Sequence, residues 1–110
     1  DYDLYTATTG YCFVERLVIT LPNVDVTDDA TITAISIQTD TSPVVTLLSA
    51  AAGAVANLAA NASFIYATAF TLPTTKKIQL TIAGGAADAA TVCTVVCRYT
   101  PVIPGAYLAV

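Results

Sequence analysis

Hydrophobic and polar positions alternate along most of this chain. Between Tyr11 and Leu21, Tyr11, Phe13, Leu17, Ile19 and Leu21 fall on one side, and Cys12, Val14, Arg16, Val18 and Thr20 fall on the other. A period of two belongs to a β-strand, whose successive side chains point to opposite faces. Only Glu15 spoils the apolar side. Pro22-Asn23 ends the run, and a turn-rich stretch with Asp25, Asp28 and Asp29 follows. Thr31–Thr39 is β-branched at nearly every second place, and Val44–Ser49 is a short strand after the Ser42-Pro43 turn. Ser63–Leu72 reads as another strand, ended by Pro73. Lys76–Ala83 sets Ile78, Leu80 and Ile82 against Lys77, Gln79 and Thr81. A loop from Gly84-Gly85 to Asp88 leads into Thr91–Thr100, so the last two strands are expected to form a hairpin.

Short strands rich in Thr and Val, with turn signals between them, predict an all-β fold: an antiparallel β-sandwich, jelly-roll or immunoglobulin-like. The exception is the Ala-rich stretch over 50–62, where Gly53, Asn57 and Asn61 interrupt a high helix propensity; at most one short helix is expected there. Residues 1–10 read as an N-terminal arm, 11–100 as the sandwich domain and 101–110 as a C-terminal tail. Val44–Ala60 is long and apolar enough to suggest a membrane span. It lacks basic and aromatic flanks, carries Thr46, Ser49 and Asn57 and lies between alternating strands, so no membrane partner is expected. The first residue is Asp1 rather than Met, as in a processed or trimmed chain or a piece of something longer, and no signal peptide is visible at the start.

Composition sharpens this picture. Of 110 residues, 55% are hydrophobic and 11% charged, so the chain is expected to collapse around a core. A small domain exposes much of its surface, and this one has little polar surface to offer. Part of its apolar surface is therefore expected to be buried against other copies. Arg16, Lys76, Lys77 and Arg98 are the whole basic complement against a net charge of −4, so nucleic acid is not an expected partner. With no His, neither a Ser-His nor a Cys-His nucleophile can be built, and no phosphate-binding glycine motif is present. A non-enzymatic protein without a cofactor is expected.

Few residues carry candidate chemistry. Asp25, Asp28 and Asp29 form an oxygen-rich loop of the kind calcium favours, but without DxDxDG spacing they read first as a solvated acidic turn. Cys93 and Cys97 would lie on one strand face about 13 Å apart, too far to bond each other. Cys12 could pair with one of them if its strand is the neighbour, although three reduced thiols used as small hydrophobes is the simpler reading. Lys76 and Lys77 read as guards of a strand edge. Glu15 and Arg98 are charges set in apolar strands, and a pair between them, across strands or between subunits, would satisfy both. With Tyr99 and Tyr107 they are the interface candidates. The six Tyr are scattered through the chain and read as core or interface packing rather than a sugar-stacking surface.

From Ala34 onward the order of elements resembles a known group. It comprises Ile37-Gln38-Thr39, Pro43-Val44-Val45, the Ala-rich crossover, an aromatic strand closing in Leu72-Pro73, Ile78-Gln79-Leu80-Thr81-Ile82-Ala83-Gly84-Gly85, and Cys97-Arg98-Tyr99-Thr100. Over roughly residues 11–100 this resembles the small β-sandwich modules of tailed-bacteriophage virion proteins: capsid decoration proteins, head fibres and tail-surface domains. The resemblance implies a structural module located in the virion. It also implies a homo-oligomer, with a trimer favoured, attached to a capsid or tail protein. The three Cys and the Ala-rich crossover depart from the pattern. The alternative is a glycan- or receptor-binding module of adhesin type, with loop Asp and Tyr making the contacts; a secreted bacterial adhesin or pilus-like domain would add a disulfide from Cys12.

Overall fold

A computed structural model of the chain describes residues 2–21, 32–84 and 93–110. The described strands are β1 (Tyr2–Thr8), β2 (Cys12–Thr20), β3 (Ala34–Thr39), β4 (Thr46–Leu48), β5 (Ser63–Tyr66), β6 (Phe70–Leu72), β7 (Lys77–Ala83), β8 (Thr94–Pro101) and β9 (Tyr107–Ala109). They form two antiparallel sheets packed face to face, the all-β sandwich expected from the alternation. One sheet has the order β4-β3-β7-β1-β9. In the other, β2 is central: β8 lies along one side, while β6 and β5 follow one another along its other side. The Ala-rich crossover contains a single 3₁₀ turn, Val55–Asn57, within the expected bound of one short helix. No helix among the described residues is long and apolar enough to cross a membrane.

The core lies between the sheets and is almost wholly aliphatic. Val14, Leu17, Ile19, Ile37, Leu58, Leu72 and Ile78 are its largest fully buried hydrophobic side chains. Thr39 is the one buried polar residue among those described, and its hydroxyl is satisfied. It accepts from the Val45 amide at 2.9 Å and bonds the Thr41 hydroxyl.

The structure corrects five expectations from the sequence. The residues read as an N-terminal arm form β1, an interior strand between β7 and β9, and Tyr5, Leu4 and Ala7 join the core. The residues read as a tail contribute β9, which pairs β1 through Thr6↔Ala109 and Thr8↔Tyr107. The expected hairpin between β7 and β8 does not form: β7 pairs β3 and β1, and β8 pairs β2 in the opposite sheet. The chain therefore crosses the sandwich between them. Lys77, read as an edge guard, sits on interior strand β7 with its ammonium 2.7 Å from Asp3 Oδ2. The single strand read over Ser63–Leu72 is two, and each pairs with a different half of β2.

The crossover after β4 lies along the outer edge of β3. The Ile35 amide donates to the Gly53 carbonyl at 2.8 Å, and the Val55 amide to the Thr33 carbonyl at 2.9 Å. Main-chain groups of an exposed edge are thereby paired, a recognised way of closing one. The approach is close enough to require glycine: a Cβ at Gly53 would lie 2.0 Å from the Ile35 carbonyl oxygen. Gly53→Ala is expected to destabilise the fold by about 1–3 kcal/mol, because backbone rather than a flexible side chain must give way. Chemical denaturation read by circular dichroism checks this; an unchanged midpoint would mean that the crossover does not dock on β3.

Candidate interaction surface

The outer face of the four-stranded sheet is built row by row from its strand register. Ser63, Thr20 and Thr94 form one row, and Ile65, Val18 and Val96 the next. Arg16 opposite Arg98 forms a third, and Thr71, Phe13 and Thr100 a fourth. Beyond them the Val102 amide donates to the Tyr11 carbonyl, bringing those two exposed residues together. Ile65 is 65% exposed and Val96 59%, so the aliphatic row is open to solvent. The other sheet differs. There Asp3 accepts from Gln79 at 2.8 Å and from Lys77 at 2.7 Å, making a charged and amide-lined outer surface. These partners hold the Asp3 carboxyl below its ordinary range, the Gln79 hydrogen bond contributing most.

A β-bulge organises the apolar face. Val14 pairs Tyr99 and Arg16 pairs Arg98, so two steps on β2 match one on β8 and Glu15 is the extra residue. The insertion reverses the alternation. Cys12 and Val14 point inward before it; Leu17, Ile19 and Leu21 point inward after it. Phe13 and Leu17, placed on one side by simple alternation, are on opposite faces for this reason. Glu15 Oε2 lies 3.0 Å from Arg98 Nε, and Glu15 Oε1 accepts from the Thr100 hydroxyl at 2.9 Å. The expected Glu15–Arg98 pair thus forms across strands. It is solvated rather than buried, because the Arg98 side chain is 74% exposed.

The remaining candidates are dispersed. Tyr99 is half-buried against the core, and Tyr107 lies on β9 of the other sheet, so neither joins the Glu15–Arg98 pair. Asp25, Asp28 and Asp29 lie outside the described residues. Among the described residues no cluster of three or more His, Cys, Asp or Glu could hold a metal. Cys12, Cys93 and Cys97 are free thiols: Cys12 is buried, Cys93 is half-buried just before β8, and Cys97 is half-buried on the inner side of β8. Burial first, and the neighbouring Cys12 second, push the Cys97 thiol up to about 11. A further tie joins the sheets: the Tyr5 hydroxyl donates to the Val95 carbonyl at 3.0 Å. Sequence reasoning missed the aliphatic row, since only the register brings Ile65, Val18 and Val96 side by side.

No family model, no curated protein and no solved structure matches the chain.

Two outcomes follow from this geometry. Glu15→Gln is expected to cost no more than about 1 kcal/mol, because an exposed ion pair is weak, with the difference shrinking in high salt. Thermal melts of both proteins at two salt concentrations decide it, and a large salt-insensitive loss would contradict a solvated pair. The second concerns alkaline pH. A folded-state thiol value above the unfolded one means that native Cys97 keeps its proton after the unfolded chain has begun to lose it. Its contribution is full below the unfolded value and lost as pH rises toward about 11. Melting temperature is expected to fall between pH ~8 and pH ~11, and less steeply in Cys97→Ser. Equal slopes for the two proteins would show that Cys97 has no part in the decline.

Proposed function

We propose that this chain is a non-enzymatic structural module of a virion, a capsid decoration or fibre domain that assembles with copies of itself and with a capsid or tail partner. The observation that carries the reading is the outer face of the four-stranded sheet. Aliphatic Ile65, Val18 and Val96 are flanked there by rows of Thr and Ser hydroxyls, in a chain with few charged residues to solubilise it. Protein partners bury such faces: apolar area contributes about 25 cal/mol per Å² on removal from water, and a Thr-rich periphery offers hydrogen bonds at the rim. Arg16, Arg98 and Glu15 in the middle of the face supply charges that can set orientation and register rather than chemistry. The resemblance over residues 11–100 points the same way through the order of its strands, although its final two strands lie in different sheets rather than in one hairpin.

Immunogold electron microscopy with antibodies raised against the chain tests this reading on virus particles purified from its native source. Gold is expected on capsids or tails. Gold confined to cell surfaces, with glycan binding by the purified chain, would replace this reading with the adhesin-like alternative.

A further inference from the structure

The edges of the two sheets are unequal. β4, β6 and β9 have three residues each and β5 has four, too short to template a long pairing. β8 has eight, Thr94 to Pro101, and among the described residues it pairs only β2. Proteins that must stay single protect long edges with lysine, a bulge on the edge or an interposed proline. β8 has no lysine; the bulge of the β2–β8 pair is on β2, and Pro101 stands at the far end of the strand. The aliphatic row Ile65–Val18–Val96 also runs out at this edge, with Val96 exposed.

We propose that β8 is a homodimerisation edge, on which β8 of a second copy adds antiparallel about a two-fold axis to join two four-stranded sheets into one. This rests on the reading above that the chain assembles with copies of itself, and it names the surface. An antiparallel edge is its own complement, since a two-fold axis brings its outward amides onto its partner's outward carbonyls. No other described edge matches β8 in length except another β8. That favours a two-fold pair over the head-to-tail contact a trimer would need. Side-chain chemistry selects the register. With Cys97 opposite itself, seven residues overlap, Thr94 faces the partner's Thr100, and Val96 faces the aliphatic stem of the partner's Arg98. Shifting by one residue toward Pro101 sets the two Arg98 side chains against each other, and shifting the other way shortens the overlap.

The test uses the full chain and two substitutions at one exposed position, with circular dichroism confirming the fold of each. Light scattering over a dilution series is expected to show a dimer, and amide exchange in β8 to slow as concentration rises. Val96→Lys places an ammonium opposite the partner's Arg98 twice per dimer and is expected to weaken it roughly ten-fold. Val96→Glu places a carboxylate there and is expected to bind no worse than the parent. A monomer at every concentration, a closed trimer, or β8 amides indifferent to concentration would each overturn the proposal. Equal weakening by both substitutions would overturn the register and with it the edge geometry. A monomeric chain that still labels virions would refute the β8 edge alone and leave the proposed function standing.

Discussion

One inserted residue holds the sandwich in register. Without the bulge at Glu15, a straight β2 could bury either Cys12 and Val14 or Leu17 and Ile19, but not both pairs. A one-residue shift turns every side chain beyond it to the other face. With the bulge, both halves of β2 feed the same core, and each half takes its own partner: β6 beside Cys12–Val14 and β5 beside Leu17–Thr20. The charge at the insertion is no accident of placement. A bulged residue leaves the ladder and turns toward solvent, where Glu15 meets Arg98 and Thr100 on the neighbouring strand.

Much of this architecture was legible in the sequence, and the illegible parts share a cause. β3 and β7 alternate cleanly, so their places emerge from a period of two. β2 was found as a strand but its faces were misassigned up to Val14, because the rule assumes an unbroken ladder; the sole warning was a lone Glu on an apolar side. β1 failed in the same manner. Its register slips between Asp3 and Tyr5, which places Leu4 at the irregularity and leaves no simple alternation to read. Tyr2–Thr8 therefore looked like an arm although Tyr5 and Ala7 belong to the core.

Partner choice was harder to read than strand position. A pattern of two tells which side of a strand is buried, but not which strand lies beside it. β7 and β8 are consecutive among the strands, yet the chain passes from one sheet to the other between them. The Glu15–Arg98 pair was legible because charges are scarce in these strands. Its solvent exposure was not, since that depends on what lies over the face. The aliphatic row was invisible for a related reason: Val18, Ile65 and Val96 are far apart in sequence and meet only through the register of β2 with both its neighbours.

The pairing of the first strand with the last has a temporal meaning. β1 lies between β7 and β9, so neither of its hydrogen-bonded edges has a partner until most of the chain exists. During synthesis at about 5–20 residues per second, β1 would wait several seconds for β7 and then longer for Tyr107–Ala109. β2 also waits, because β5, β6 and β8 all follow it at long separation. Non-local pairing of this kind slows folding, since loop entropy is spent before the contacts that reward it can form. The nascent chain thus carries unpaired, Val- and Thr-rich strands for much of its synthesis, and its newly made copies would be at their most adhesive before they are complete.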